Sequence, residues 1–295
     1  MSPREWNATA YDELPLPHVQ WGLRTIARLQ LTGSERVLDA GCGTGRDAEA
    51  LLDQYPAVDL VGVDGSHQMV AAARARLGDR AVIAAADLTR PLHFAGFPAA
   101  DSSAAPQDRS PGADAQNDYR ENAETPDAPN RKSGENPDVL TLGNRPGRLD
   151  RVMSVACFHW ISDHEGLFAN LAEVLRPGGR LVSDSGGEGN IDIVESAVSA
   201  VQGVAWHPKS FASPADTRRR LADNGFEPVR VELRPSPFRI DDPQIMEHYL
   251  ATICLGAHLE KMAEADAVEF TRQVRLAMRE PVLDYVRLEI DAVRR

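Results

Sequence analysis

Val37-Leu38-Asp39-Ala40-Gly41-Cys42-Gly43-Thr44-Gly45 is the stretch whose reading decides the fold. It starts as a short apolar strand, turns acidic at Asp39 and then sets glycines at three alternate positions. Glycines there let the backbone turn sharply and approach a flat ligand with no Cβ in the way. A dinucleotide fingerprint, G-x-G-x-x-G/A, needs a small residue at its third place. Counted from Gly41, that place holds Arg46, which is large and charged. Asp39 also stands two residues before the first glycine, where a carboxylate would repel a pyrophosphate but could hold an ammonium group. The spacing therefore suits a cofactor with a positive amino group and no phosphate. An ordinary strand–helix turn seldom needs three alternate glycines.

Outward from this loop the chain alternates strand and helix. An N-terminal helix precedes it, with Val19, Leu23, Ile26 and Ala27 at helical spacing on one face. A helix after the loop turns Ala48, Leu51, Leu52 and Tyr55 inward and closes at Pro56. Asp59–Asp64 reads as a second buried strand, Ser66 as the N-cap of a helix that stops at Gly78, and Ala81–Ala86 as a third strand. Arg151–Ala156 and Arg180–Ser183 read as further strands around a helix capped by Asp163. Residues 191–204 are predicted helical, Ser213-Pro214 opens another helix, and Phe226–Leu233 is again a strand. Apolar strands alternating with helices imply parallel strands covered on both faces. The tail from Pro243 reads as two amphipathic helices broken at Pro281. The first turns Ile245, Tyr249, Ile253 and Leu255 inward, and the second carries Val282, Tyr285, Val286 and Leu288.

Ligands of open parallel sheets sit outside the carboxyl ends of the strands. Three further pieces fall at such ends. Asp64, about 20 residues past the loop, can accept both hydroxyls of a ribose. Asp87 can accept from an adenine amino group while backbone Leu88 meets the ring edge; as an isolated residue Asp87 would serve a turn equally well. His159-Trp160 leaves the fourth strand where an acceptor would meet the cofactor, although Trp160 could simply pack.

The 295 residues carry a formal net charge of −12, which argues against nucleic acid and anionic membranes as partners. The three cysteines, Cys42, Cys157 and Cys254, are too scattered for a disulfide framework or a metal site, and they fit a reducing, cytoplasmic setting. No apolar run approaches the roughly 18 residues of a bilayer span. Residues 98–147 hold seven prolines and few large apolar side chains, so they are expected to be a disordered insertion.

The loop Val37–Gly45 resembles motif I of the class I S-adenosylmethionine-dependent methyltransferases, and Leu175-Arg-Pro-Gly-Gly-Arg-Leu181 resembles their post-motif turn. Trp6-Asn7-x-x-x-Tyr11 and Phe158-His159-Trp160 resemble the trans-aconitate methyltransferase-like branch. The resemblance implies a doubly wound α/β fold: a mostly parallel, Rossmann-like seven-stranded sheet whose last strand is antiparallel, with a helical cap. Residues 1–97 and 148–240 would form the core and 241–295 the C-terminal helical cap. The implied cofactor is S-adenosyl-L-methionine, with Tyr11, Asp39, Gly41, Gly43, Gly45, Asp64, Gly65, Asp87, Leu88 and Ala156 as its contacts. Tyr11 would cover its methionine end. His159 and Trp160 would face a small-molecule acceptor, an anionic acid in the resembling branch, held by a cation such as Arg24, Arg239 or Arg287. The acceptor pocket is expected between Tyr11, His159, Trp160 and the segment Tyr285–Arg287. An acceptor at another O, N or C atom, or a non-catalytic cofactor-binding protein, are the alternatives. No metal is called for, and the oligomeric state is left open.

Overall fold

The computed structural model describes residues 17–92, 148–206 and 211–295, together with Glu5, Trp6, Ala8, Thr9 and Leu14. The expected insertion at 98–147 and Tyr11 lie outside the described residues.

Helix α1 (His18–Arg28) leads into β1 (Arg36–Ala40), α2 (Arg46–Gln54), β2 (Asp59–Asp64), α3 (His67–Leu77) and β3 (Val82–Ala85). After the undescribed stretch come β4 (Leu149–Val155), α4 (His164–Val174), β5 (Leu175–Gly186), α5 (Asp192–Gln202), α6 (Pro214–Asp223) and β6 (Phe226–Pro235). The chain then runs through α7 (Pro243–Tyr249), a π turn at Leu250–Cys254, α8 (Glu264–Ala277) and β7 (Val286–Arg294). These strands form one sheet in the order β3-β2-β1-β4-β5-β7-β6. Strands β1 to β5 run parallel, and β7 is antiparallel to both β5 and β6. This is the doubly wound sheet that the strand–helix alternation predicts.

The helix starts follow local chemistry. Ser66, Asp163 and Ser213 each accept a backbone N–H of the first turn of the helix they precede. Each such cap is worth about 1 kcal/mol. All five residues of β1 are buried, as a central strand covered on both faces requires.

Two expectations are corrected. Helix α1 buries Trp21, Gly22, Thr25 and Ile26, while Val19 and Leu23 stay exposed. Of the expected face Ile26 is inward and Val19, Leu23 and Ala27 are not, because the inward face mixes an aromatic, a glycine and a threonine with it. The same helix ends in Arg28, whose guanidinium donates to the Ser183 carbonyl and pairs with Asp291 at 3.2 Å.

The second correction concerns the C-terminal helical cap, which spans 243–277 rather than 241–295. The expected last helix is strand β7, inserted between β5 and β6. Within the first helical stretch, Tyr249, Ile253 and Leu255 are buried as expected, but Met246 replaces Ile245 on the inner face. In β7, Leu288, Ile290 and Ala292 fill one face, and Arg287, Glu289 and Asp291 lie buried on the other. That period-two alternation is a strand signal masked by its charges.

Those charges are tolerated because they are paired. Asp184 takes Arg287 at 2.6 Å and Arg234 at 3.3 Å, and Glu289 takes Arg234 at 2.6 Å and Arg230 at 2.8 Å. Asp291 takes Arg180 at 3.4 Å besides Arg28. Burial alone would raise the Glu289 carboxyl. The Arg234 hydrogen bond and the charges of Arg28, Arg234 and Arg230 outweigh it and hold the carboxyl below its ordinary range.

Candidate active site

The loop after β1 folds over the end of β2. The Gly41 and Cys42 N–H groups both donate to the Val63 carbonyl, at 2.8 and 3.0 Å. The Gly43 N–H donates to Asp64 Oδ2 at 2.9 Å. Gly41, Gly43 and Gly45 all have positive φ, at 83°, 53° and 81°. Their surroundings differ. A Cβ on Gly41 would collide with Cys157 Sγ, and one on Gly45 would crowd Leu77 and Ala73 of α3. Among the described residues nothing lies within 4 Å of a Cβ on Gly43. Gly41 and Gly45 thus let neighbouring chain approach, and Gly43 opens onto space.

Asp39 ends this strand with 1% of its surface exposed. Its Oδ2 is buried without a hydrogen-bond partner among the described residues. Burial pushes the carboxyl well above its ordinary range, and the charges of Asp47 and Asp64 push it further. A buried, unpartnered carboxylate is costly. It is the expected signature of a site shaped for a cation that the protein itself does not supply.

Asp64 is also raised by burial, against hydrogen bonds from Ser66, Gly43 and Gly65. Its Oδ1 accepts the Ser66 N–H at 2.9 Å, so both oxygens are aimed by the two loops they join. Gly65 is the bend between Asp64 and the Ser66 cap. At the end of β3, Asp87 Oδ1 accepts the Thr89 N–H at 2.9 Å and Oγ1 at 2.7 Å. Leu88 is buried, and its carbonyl accepts Asn170 Nδ2 from α4 at 3.0 Å. Asn170 has no sequence signal, because only the fold brings α4 under this turn.

The β4 exit is held as firmly. Ser154 Oγ donates to the Ala40 carbonyl at 2.6 Å, tying β4 to β1. Ala156 sits in the left-handed region at φ 54°, and its N–H donates to the Asp184 carbonyl at 2.8 Å. Such a residue costs on the order of 1–3 kcal/mol, which the surrounding bonds must offset. The bend throws Phe158–Trp160 into a short turn across the edge. The Gly186 N–H donates to His159 Nδ1 at 3.2 Å, so Nε2 carries the imidazole proton. His159 is buried between the rings of Trp160 and Phe211, at 5.1 and 5.9 Å.

Trp160 is 37% exposed on its outer side and meets the Trp6 ring edge-on at 5.0 Å. The preceding Glu5 carboxylate takes Ser66 Oγ at 2.9 Å and the His67 N–H at 3.0 Å. The His67 backbone and Ser66 bonds hold that carboxyl below its ordinary range. Glu5 and Trp6 thus connect the Asp64–Ser66 turn to Trp160. Neither contact follows from the local pattern.

Farther along the edge stands an aromatic group. Trp21 Nε1 donates to Ser236 Oγ at 3.1 Å, and its ring meets Tyr285 at 5.1 Å and His18 at 4.8 Å. The Tyr249 and Tyr285 hydroxyls lie 2.7 Å apart. The expected cation sites are not brought together. Arg287 lies over the Trp21 ring at 3.7 Å with its charge committed to Asp184; Arg239 pairs with Asp241 at the surface, and Arg24 is exposed on α1.

A family model described as a methyltransferase domain matches residues 20–231. The trans-aconitate 2-methyltransferase of Variovorax paradoxus is 26% identical over 178 residues, covering 60% of this chain and 48% of that relative. That of Methylobacterium nodulans is 36% identical over 73 residues, covering 25% of this chain and 28% of its own length. The chain thus spans about half or less of the curated relatives it matches. Among solved structures, the YcgJ protein of Bacillus aligns with a TM-score of 0.53 at 14% identity, over 94% of this chain and 99% of that one. The geranyl diphosphate C-methyltransferase of Streptomyces coelicolor gives 0.50 at 14% identity, over 97% and 82%. Those two share the fold.

Proposed function

The chain belongs to the methyltransferase-domain family of S-adenosylmethionine-dependent enzymes, and from that premise we propose that it methylates a small molecule, a carboxylic acid at oxygen. The observation that carries the cofactor part is Asp39, whose buried Oδ2 lacks a partner at the mouth of a loop that is open above Gly43. The residues fit the group. Asp39 would hold its ammonium and Asp64 its ribose hydroxyls. Gly43 and Gly65 would give backbone approach, Gly41 and Gly45 would seat the loop against Cys157 and α3, and Asp87 with Leu88 would meet adenine. When bound, S-adenosylmethionine supplies a methyl group already activated on a sulfonium.

The work left to the protein is to orient the acceptor and to exclude water. Ala156 turns His159 and Trp160 over the edge for this purpose. A carboxylate is an anion at neutral pH and needs no base to become a nucleophile. The His159 tautomer supports that acceptor: Nδ1 is engaged as an acceptor by Gly186, so Nε2–H is a hydrogen-bond donor suited to an anionic oxygen. The trans-aconitate relatives support it at modest identity. The three cysteines are free thiols, which fits a cytoplasmic setting. Among the described residues no helix is long and apolar enough to cross a membrane.

A neutral acceptor is the second reading. It is favoured by the commitment of Arg287 to Asp184 and by the aromatic character of Trp21, Phe211, Tyr249 and Tyr285. Labelled cofactor offered with a panel of small acids, phenols and amines separates the readings. Transfer to acids alone upholds the first, and transfer to phenols or amines alone overturns it. His159→Gln keeps hydrogen bonding but cannot take a proton. It should leave transfer within about tenfold, since Nε2–H acts only as a donor; a loss of about 10²–10⁴-fold would mean that His159 takes a proton and would overturn the donor role.

A further inference from the structure

A further carboxylate, half-buried, stands next to the glycine loop. Asp47 stands in the first turn of α2, two residues past Gly45. Its carboxylate rests on the backbone of α1, where a Cβ at Gly22 would collide with Oδ1. Only a glycine at position 22 leaves room for it. Its electrostatic neighbours are informative. Its charge acts on Asp39, and Asp184 acts on it. It therefore lies between the unpartnered β1 carboxylate and the charged end of β5.

Among the described residues, charged groups face this spot from several elements. From α1 comes His18, which burial and the charges of Arg287 and Arg46 drive down to about 3, so it contributes no positive charge. From β1 comes Asp39, on which the charges of Asp47 and of Asp64 of β2 both act. From β5 comes Asp184, already paired with Arg287 of β7. From α2 itself comes Arg46, whose charge opposes burial and Asp184 on Asp47. Among the described residues Asp47 accepts no hydrogen bond, in contrast to Asp64.

We infer that Asp47 is a second carboxylate of the cofactor site, set beside Asp39 to receive the cationic amino-acid end of S-adenosylmethionine. The inference rests on the cofactor reading above and extends it to a residue outside the glycine loop. Two carboxylates with Oδ2 of one buried and unpartnered make a charge deficit that an ammonium would fill. Burial lifts the Asp47 carboxyl to about 7, against the pull of Arg46, so the group is half protonated near neutral pH without ligand. Arrival of a cation favours the ionised form and sends that proton to solvent.

Calorimetric titration with S-adenosylmethionine and S-adenosylhomocysteine, in buffers of different ionisation enthalpy, tests this between pH 6 and pH 8. The ligand amino group titrates in the same range, so the readout is the difference between the wild type and Asp47→Asn. The wild type should release about half a proton more at pH 7, and its affinity should rise with pH by up to about tenfold more than that of the variant. Gly22→Ala, which displaces the carboxylate without removing it, should flatten the pH profile in the same way. Without ligand, the folded carboxyl binds its proton more tightly than the unfolded one. Wild-type stability should therefore fall relative to Asp47→Asn as pH rises from about 4 to about 7. Binding with identical proton release and pH slope in both proteins overturns the role of Asp47 and leaves the cofactor reading intact. Failure of the wild type to bind either ligand overturns that reading and this inference with it.

Discussion

On the β1–β3 side of the sheet edge the polar groups are aimed by nearby backbone. Asp64 is gripped by the Gly43 and Ser66 N–H groups, and Asp87 by Thr89. On the β4–β7 side they are aimed by side chains drawn from distant parts of the chain. Arg287 spans Trp21 of α1 and Asp184 of β5, and His159 leans on Gly186 and Phe211. The first region resembles a short cassette that carries its own geometry. The second exists only when the whole sheet is closed. Changes in the cassette should therefore act on ligand affinity, and changes in the far region should act on folding and on turnover.

The largest effect expected from this contrast is at Arg287. Arg287→Ala leaves Asp184 buried beside Arg234 alone and removes the cation from the Trp21 face, so it should cost about 3–5 kcal/mol in urea unfolding. A loss below about 1 kcal/mol would mean that the β7 charges are dispensable and the contrast is overdrawn. Next comes Asp39→Asn, which should weaken S-adenosylmethionine by about 1.5–3 kcal/mol, the scale of a hydrogen bond to a charged group. Its melting temperature should hold or rise, since a buried unpaired carboxyl is removed. A fall in stability with unchanged affinity would reverse the roles of the two regions.

Trp160→Ala should lower turnover at least tenfold while cofactor affinity stays within about tenfold, because the ring belongs to the acceptor side. Equal losses in both would move Trp160 into the cofactor cassette with Trp6. The smallest effect is at Ser66, which caps α3 and also receives Glu5. Ser66→Ala should cost about 1 kcal/mol of stability, measured by thermal unfolding. A further loss of cofactor affinity would show that the Glu5–Trp6 connection matters to the ribose side.

The same contrast explains what could be read in advance. Residues 36–88 repeat strand, turn and helix at short range, so strand ends, caps and carboxylates follow from spacing alone. The amphipathic pattern of α1 pointed to Val19 and Leu23, yet the buried stripe runs through Trp21 and Gly22, because Arg28 and Trp21 must reach the β5 and β7 charges. The C-terminal segment was expected to be a second covering helix. Its alternation Leu288, Ile290, Ala292 against Arg287, Glu289, Asp291 is a strand pattern only if buried charge is admitted, and partners on α1, β5 and β6 make that burial tolerable.

The sequence by itself determined the parallel sheet, the glycine loop, the helix caps and the row of carboxylates at the first three strand ends, since each depends on residues within a few positions of one another. Tertiary structure alone decided which face of α1 is inward, that β7 enters between β5 and β6, and that Asn170 lies under the Leu88 turn and Trp6 against Trp160. It also decided that Arg287 is committed to Asp184 instead of facing an acceptor. The physical reason is range. Backbone turns and caps are local bonds, whereas the partner that neutralises a buried charge is fixed only when remote segments meet, and no spacing in the chain records that meeting.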